Sequence, residues 1–292
     1  MSIIASPGLL KKLRSRRSPE EESEMSLMSH LEALRWHLVR SVLVWLAAAI
    51  IIFVFIDWIY DNIILAPSSE HFVTYGALCS FGHWLGIGDG LCMPPVKIRF
   101  LVTEVNGTFT SAISTCMMGA FIIAFPYIIF ELWNFIKPAL TNKEKQYARG
   151  GILWISLCFF FGAAFGYYLL APFTFNFLAG FTLGKTGSIL YSPSITDYID
   201  SLNNIILGCG IAFELPIMAF VLAKIGLVNS RFLKKYSKYA FIIILVVAAV
   251  ITPSPDITSQ VIVAAPLLLL YWISILLVSK VDRKKAREEM RG

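Results

Sequence analysis

The chain has 292 residues, of which 57% are hydrophobic and 15% are charged. Soluble domains average roughly 45–50% apolar and about 25% charged residues, so this composition excludes an ordinary soluble globular protein. Several apolar runs reach the roughly 20 residues that a helix needs to cross the hydrocarbon core of a bilayer. The composition therefore predicts an all-α, multi-pass membrane protein. The net charge of +6 then bears on membrane topology and requires no nucleic-acid partner.

Residues 1–24 are polar and strongly charged, and we expect a disordered cytoplasmic tail there. A basic block that includes Arg16 and Arg17 precedes an acidic block at residues 20–24. Arg16 and Arg17 form a pair of arginines, but no hydrophobic stretch follows them closely. We therefore interpret the pair as part of a charged tail and not as an export signal.

A helix is predicted to begin near Ser29 and to continue from the membrane surface into the first span. Ser29 and Glu32 have the spacing of a capping box, in which two side chains satisfy backbone N–H groups at the start of a helix. Leucines at helical spacing form an apolar stripe on the same segment.

Six transmembrane helices are predicted within one membrane domain, residues 25–280. Span 5 has about 13 residues, or about 20 Å at 1.5 Å per residue, and spans 5 and 6 are both predicted to be short. A long polar connection separates spans 1 and 2, and a cytoplasmic tail, residues 281–292, follows the last span. The predicted spans are about 38–56, 112–135, 152–178, 202–221, 239–251 and 257–279.

The distribution of positive charge predicts the orientation. With six spans, both termini lie on one side of the membrane. That side collects all of the 25 lysines and arginines except Lys97, Arg99 and Lys185. Because cytoplasmic segments carry the excess of Lys and Arg, both termini are predicted to be cytoplasmic.

Span 3 contains Gly162 and Gly166. Two small residues at this spacing lie on one face of a helix and allow a second helix to approach closely. We therefore expect a tight helix–helix contact on that face of span 3.

Glu214 is the only acidic or basic side chain in span 4. A charged side chain at the bilayer centre costs roughly 2.5–3.5 kcal/mol on insertion scales, so such residues usually face protein or a water-filled cavity. Pro216 removes a helix hydrogen bond, which predicts a kink beside the acid. Two interpretations are open: a functional acid, or a side chain that only holds helix packing.

Five segments in chain order resemble motifs of the TatC family, the multi-spanning subunit of the twin-arginine protein translocase. Each segment is weak evidence alone, but all five occur in order on six predicted spans. The resemblance covers about residues 26–280. The segments are 30–35, 133–140 followed by Glu144, 165–167 with Pro172, 210–216, and 252–260.

This resemblance implies a concave, glove-like helical scaffold and not a closed pore. It implies a receptor that binds twin-arginine signal peptides of folded cargo and organises small single-span partner subunits of the TatA and TatB type, with self-association of the receptor. Export is then driven by the proton-motive force, and no cofactor, metal or catalytic activity is expected. The implied location is the bacterial cytoplasmic (inner) membrane.

Two acids are implied for signal-peptide recognition, because arginine pairs best with carboxylates through bidentate hydrogen bonds. Glu144, in the first cytoplasmic loop, matches one of them; a solvated surface acid is the alternative. The other position is a departure, because Ala33 stands where the family usually has Glu. Glu32 is adjacent but about 100° away around the helix. It either binds the signal, caps the helix or pairs with Arg35.

Phe135 and Glu131, near the end of span 2, are also assigned to the signal-peptide site. Phe135 corresponds to an aromatic residue of the family, and its ring is suited to lie over a guanidinium group by cation–π contact. An interfacial anchor is the alternative for Phe135. Glu131 lies one turn deeper, and either lines the same surface or faces the cytoplasm.

The resemblance assigns Glu214 and Pro216 to the face that contacts partner helices. Burial favours the neutral form of a carboxyl group, which can donate a hydrogen bond to a polar group of a partner. Asp256 lies in the last outer turn, where partner contact and a purely structural turn are both open.

Cys79 and Cys92 both fall in the first outer loop. A disulfide between them is predicted, because that compartment is oxidising in many bacteria. A metal site made of Cys79, His83 and Cys92 is less favoured, since no fourth ligand has suitable spacing. The other three cysteines lie in spans and are expected to act as small apolar residues.

The main alternative function is a proton- or ion-coupled secondary transporter that uses Glu214. Such transporters usually contain internal repeats with broken spans at matching positions, and the two halves of this chain do not match. An intramembrane enzyme is weaker still, because Glu214 has no catalytic partner within the spans.

Overall fold

The structure is a computed structural model that describes residues 27–69, 72–84, 86, 92, 99–136, 151–180, 192–224, 226–252 and 257–289. Helices make up most of this part of the chain. Its only paired extended backbone is an isolated parallel bridge between Leu101 and Ser194. The α-helices are α1 (Leu27–Val54), α2 (Ile56–Ile59), α3 (Val73–Trp84), α4 (Gly107–Ile136), α5 (Gly151–Phe165), α6 (Ala171–Gly180), α7 (Ile195–Ala212), α8 (Leu215–Lys224), α9 (Ser230–Lys235), α10 (Ser237–Ile251) and α11 (Ile257–Glu289).

Five helical segments of the described chain are long and apolar enough to cross a membrane, and they coincide with predicted spans 1–4 and 6. α10 coincides with predicted span 5, but its 15 residues make it shorter than the other five. The chain is therefore a helical, multi-pass membrane protein. The five segments are Glu32–Val54, Gly107–Ile136, Gly151–Gly180, Ile195–Lys224 and Val263–Lys285.

The last helix is longer than predicted. α11 has 33 residues, so the prediction that span 6 is short is wrong, and the helix includes most of the predicted tail. That tail is rich in Lys, Arg, Glu and Ala, which are strong helix formers. It is also fixed to the preceding helices. The Asp282 carboxylate accepts a hydrogen bond from Ser230 N at 2.7 Å, and Lys285 Nζ donates to the Ala223 carbonyl at 2.9 Å.

One prediction about local structure also needs correction. α1 begins at Leu27, so Ser29 lies inside the helix and the predicted capping box with Glu32 is wrong. The polar connection between spans 1 and 2 contains α3 and other helical turns, because aromatic residues within it pack on the membrane helices. The predicted tail at residues 1–24 lies outside the described residues.

α5 and α7 approach each other closely at glycines. A Cβ atom on Gly162 would lie 2.6 Å from the Cys209 carbonyl oxygen, and one on Gly166 would lie 3.0 Å from another carbonyl of α7. On the facing helix, a Cβ atom on Gly210 would lie 2.7 Å from the Phe159 ring. The tight contact predicted from the glycines of span 3 is confirmed, and α7 is the helix that makes it.

The main hydrophobic core surrounds α7. Ile199, Leu202 and Ile205 on this helix are each 0% exposed, and the cluster around them includes residues of α4, α5, α10 and α11. α7 is therefore the central helix of the described bundle. By contrast, only 11% of the residues in the apolar stretch of α1 are buried within the chain, against 33% in that of α4.

The fourth span is broken beside its acid. α7 ends at Ala212 and α8 begins at Leu215, which leaves Glu214 in the turn between them. Pro216 has no N–H group to donate to the Ala212 carbonyl, so the regular hydrogen-bond pattern cannot continue through this point. The kink predicted from Pro216 is confirmed.

Antiparallel packing brings several helix ends to one side of the bundle, which we call the terminal side. The beginning of α1 meets the end of α4 there, through His37 and Glu131. The end of α11 meets the end of α8 there, through Lys285 and Ala223. The opposite side holds α3 and the Leu101–Ser194 bridge.

Gly162→Ala is expected to lower the thermal stability of the purified protein. The added Cβ atom would lie 2.6 Å from the Cys209 carbonyl oxygen, and overpacking of this kind costs about 1–3 kcal/mol. Gly151→Ala is the matched control, because nothing lies within 4 Å of a Cβ atom there. Thermal unfolding in detergent measures both variants. Equal midpoints would contradict the tight contact between α5 and α7.

Candidate functional site

The terminal side holds a cluster of polar side chains between α1 and α4. His37 Nδ1 lies 2.5 Å from Glu131 Oε2, and the Tyr127 hydroxyl donates to Glu131 Oε1 at 2.7 Å. Glu131 is only 4% exposed, whereas the His37 side chain is 22% exposed. We call His37, Tyr127 and Glu131 the carboxylate clamp. Both oxygens of its carboxylate are engaged within the chain.

Helix geometry explains how the clamp is assembled. Tyr127 and Glu131 are four residues apart on α4 and therefore lie on one face, and that face packs on α1. A buried carboxylate is stable only when it is paired and hydrogen-bonded, and the two partners meet that need. The sequence indicated Glu131 as a site residue but not His37 or Tyr127. His37 lies between Arg35 and Arg40, and no local pattern marked it as a partner of Glu131.

Phe135 and Arg40 lie next to the clamp. The Phe135 ring is 6.4 Å from the His37 ring, edge to face. The charge of Arg40 acts on the Glu131 carboxylate and on the Tyr127 hydroxyl. Two residues predicted for signal-peptide binding, Glu131 and Phe135, are therefore brought together around His37.

Of the other two acids predicted for the signal-peptide site, only Glu32 lies within the described residues, and it is not part of the clamp. Glu32 is exposed on α1. It lies five residues before His37, which is about 140° around the helix, so its side chain points away from the clamp. Ala33, four residues before His37, shares the face of His37. Glu144 falls within residues 137–150, which are outside the described residues.

Glu214 lies in the break between α7 and α8, facing α5. It is partly buried, and the backbone of Phe159 on α5 contacts its carboxyl group. Its Oε1 atom is buried and has no hydrogen-bond partner in the described part of the chain. Pro216, just after it, is buried. The break therefore holds an acid with spare hydrogen-bonding capacity. Asp256, assigned to the same function, lies outside the described residues.

On the side of the bundle opposite the terminal side, Phe72 and α3 pack against the third span. The Phe72 ring stacks on Tyr168 of the Gly166–Leu170 π-turn at 5.8 Å, and the Thr74 hydroxyl donates to the Tyr168 carbonyl. The Tyr75 hydroxyl donates to the Pro67 carbonyl at 3.1 Å. Burial raises the pKa of Tyr75, which keeps this hydroxyl protonated as a donor.

Cys79 and Cys92 form a disulfide, with their Cα atoms 4.3 Å apart. His83 Nδ1 lies 3.9 Å from Cys79 Sγ, and the three potential ligand atoms lie within 4.8 Å of one another. Metals bind cysteine as the thiolate, and both sulfur atoms are committed to the disulfide. The arrangement therefore supports the disulfide prediction over the metal alternative.

Comparison with known proteins decides the family. Residues 29–266 match the family model described as Sec-independent protein translocase protein (TatC). The chain belongs to the TatC family. The resemblance found from the sequence motifs is thereby confirmed.

TatC proteins from other organisms match along most of the chain. The protein from Blattabacterium sp. subsp. Periplaneta americana is 36% identical over 266 residues, which cover 91% of this chain and 99% of the relative. The Campylobacter jejuni protein is 37% identical, and the match covers 65% of this chain and 76% of the relative. A crystal structure of the twin-arginine translocase receptor TatC superposes with a TM-score of 0.67 at 29% identity, and covers 87% of this chain and 99% of that one.

Family membership has direct consequences for function. The chain is a component of a Sec-independent, twin-arginine protein translocase, and it acts in protein transport across a membrane. The alternative of a secondary transporter is not favoured. The family is named for translocation and not for a catalysed reaction, which agrees with the expectation of a non-enzymatic protein.

Replacing Cys79 and Cys92 together by Ser is expected to loosen α3. The two residues are 13 positions apart, and a disulfide that closes a loop of about this length stabilises a fold by roughly 3 kcal/mol. Limited proteolysis from the α3 side, with the protein in nanodiscs, measures the effect. Cys158→Ser is the matched control, because it removes a free thiol. Mass spectrometry of the unreduced protein tests the disulfide directly. Finding no peptides joined through Cys79 and Cys92 would contradict it.

Proposed function

We propose that this TatC-family chain is the receptor subunit of a twin-arginine translocation system in the bacterial cytoplasmic membrane. It binds the twin-arginine signal peptides of folded cargo and organises small single-span partner subunits of the TatA and TatB type, with the proton-motive force driving export. The family match over residues 29–266 carries the proposal. Acidic side chains at the terminal side and in the broken span support it.

The proposed topology has six spans and cytoplasmic termini. α10 is the short fifth span, with 15 residues, or about 22 Å at 1.5 Å per residue. A short span is accommodated by local thinning of the bilayer. The basic residues at the end of α11 and on α9 lie on the terminal side, which agrees with the positive-inside rule. The concave shape expected for the family belongs to the same proposal.

Signal recognition is assigned to the terminal side. Glu144 and Glu32 supply carboxylates for the two guanidinium groups, because charge-assisted bidentate pairs are the strongest hydrogen bonds available to arginine. The Phe135 ring makes a cation–π contact with a guanidinium group. Glu131 belongs to the base of this site, where it fixes α1 against α4.

Glu144→Gln and Glu32→Gln are each expected to weaken binding of a twin-arginine signal peptide by about tenfold, since each removes one charged partner of a guanidinium group. Fluorescence anisotropy with a labelled peptide and protein in nanodiscs measures the affinity. Glu104→Gln is the matched control, because Glu104 is an exposed acid near the Leu101–Ser194 bridge on the opposite side. An unchanged affinity in the Glu32 variant would remove that residue from the site.

Docking of partner subunits is assigned to the broken span. A carboxyl oxygen that is buried without a partner is costly in an apolar environment. A polar group on a neighbouring single-span helix can satisfy it. Pro216 keeps the break open by preventing a regular helix at this point. Asp256, in the last outer turn, is assigned to the same contact.

Glu214→Gln is expected to retain most export activity, because an amide can still donate a hydrogen bond, whereas Glu214→Leu is expected to lose at least about tenfold. Export of a twin-arginine cargo in a strain that depends on this protein is the measurement. Co-purification of the single-span partner with each variant serves as the second readout. Full export activity of the Glu214→Leu variant would show that the acid is dispensable for partner docking.

A further inference from the structure

We propose that residues 229–239, which we call the α9 segment, form a binding surface for the headgroups of anionic phospholipids. The segment lies at the terminal side of the bundle, where the chain passes from α9 into the short span α10. It combines exposed cations with exposed aromatic rings on a firmly held turn. Such a surface is separate from signal recognition and partner docking, and it requires only that the chain lies in a membrane.

The bundle holds the α9 segment in one orientation. The Asn229 side-chain oxygen accepts a hydrogen bond from Phe232 N at 2.7 Å, which caps the start of α9. The Tyr271 hydroxyl on α11 donates to the Leu233 carbonyl at 2.7 Å, and Asp282 of α11 accepts a hydrogen bond from the first residue of α9. The Leu233 side chain packs on a buried cluster between α8 and α11. Because this inward face is fixed, the outward side chains of the segment keep defined positions.

Three aromatic rings form a row on the outward face, which we call the aromatic ladder. Phe232, Tyr236 and Tyr239 are four and three residues apart, the spacing of neighbours on one helix face. Consecutive ring centroids lie 4.5 Å and 6.0 Å apart, and each residue is between 40% and 52% exposed. Exposed aromatic residues at the end of a membrane helix are typical of the headgroup level. The ladder therefore marks the depth of the membrane interface.

The surface of α10 supports the same depth. Directly after the ladder, Phe241, Ile242 and Ile243 are 47%, 57% and 60% exposed. Large apolar side chains that are exposed on a membrane helix face the lipid hydrocarbon. The aromatic ladder thus lies between a lipid-facing apolar surface and the polar α9, which is where phospholipid headgroups are found.

Four exposed cations accompany the aromatic ladder. The α9 segment contains no Asp or Glu, and among the described residues none of its cations makes an ion pair. Lys235 Nζ lies 5.9 Å from the Tyr236 ring centroid, and Lys238 Nζ lies 5.0 Å from that of Tyr239. These two ammonium groups are therefore held at the depth of the rings. The four cations are Arg231, Lys234, Lys235 and Lys238.

The phosphate of an anionic phospholipid matches this set of groups. Ammonium groups bind phosphate oxygens as point charges, and the tyrosine hydroxyls of the ladder add hydrogen-bond donors. Each Lys or Arg close to an anionic membrane surface strengthens association about fivefold. A zwitterionic headgroup carries no net charge, so it lacks this attraction. A free phosphate ion lacks the acyl chains that would contact the apolar surface of α10. The surface is therefore selective for anionic phospholipids.

The experiment is native mass spectrometry of the purified full chain, titrated separately with dioleoyl phosphatidylglycerol and dioleoyl phosphatidylcholine. We expect the wild-type protein to bind the anionic lipid at least about tenfold more tightly than the zwitterionic one. Lys235→Gln combined with Lys238→Gln removes the two ammonium groups beside the ladder. Because each cation contributes about fivefold, this double variant is expected to bind phosphatidylglycerol at least about tenfold more weakly, with phosphatidylcholine binding unchanged.

Arg283→Gln combined with Arg287→Gln is the matched control, because it removes the same charge from exposed positions in the last turns of α11. Its affinity for phosphatidylglycerol is expected to stay within about twofold of wild type, since distant exposed charges are screened. Equal losses in the two double variants would show a general charge effect and overturn the proposed surface. Equal wild-type affinity for the two lipids would also overturn it, and would favour an acidic protein segment as the occupant.

A second measurement uses the wild-type protein and needs no variant. Raising ammonium acetate from about 0.1 M to about 1 M shortens the screening length from about 10 Å to about 3 Å. The affinity for phosphatidylglycerol is expected to fall at least about tenfold over this range. An affinity that does not change with salt would contradict recognition of the headgroup by exposed cations.

Discussion

The close contact between α5 and α7 is the constraint on which the rest of the bundle depends. Water is absent from the hydrocarbon region, so helices gain little from apolar burial and associate through van der Waals packing at small residues. Gly162 and Gly166 allow that approach on one side, and Gly210 accepts the Phe159 ring on the other. The same helix carries Gly208, where a Cβ atom would lie 2.6 Å from Ile251 of α10. One glycine-rich helix thus holds α5 and the short α10 together, and its broken end sets Glu214 against α5.

Glu131 and Glu214 illustrate opposite solutions to the cost of a buried carboxyl group. Glu131 is paired within the chain by His37 and Tyr127, so it contributes to the position of helices. Glu214 keeps a buried oxygen without a hydrogen-bond partner in the described residues. Acids within membrane spans usually face other protein groups or a water-filled cavity. The difference is consistent with a structural role for Glu131 and with the docking role proposed for Glu214.

Local features of the sequence were sufficient wherever one segment decides its own structure. Apolar runs predicted the spans, Pro216 predicted the kink, and two glycines four positions apart predicted a tight helix contact. The errors arose where a segment depends on its neighbours. The charged tail after span 6 continues α11, where Asp282 and Lys285 bind the preceding helices. The connection between spans 1 and 2 contains α3, and Phe72 beside it packs on Tyr168 of the third span. Neither contact can be derived from composition.

The sequence by itself determined the membrane class, the helical segments and the TatC family, because hydrophobicity, helix-breaking residues and short motifs are properties of consecutive residues. It also singled out Glu214 as the only acidic or basic side chain in span 4, and it assigned Glu131 to the signal-peptide site beside Phe135. Only the tertiary structure decided which of them is paired. The partner of Glu131 is His37, 94 residues away, and no local pattern connects the two. Their contact exists because α1 and α4 pack side by side, which brings a histidine and a carboxylate to the same depth of the bundle.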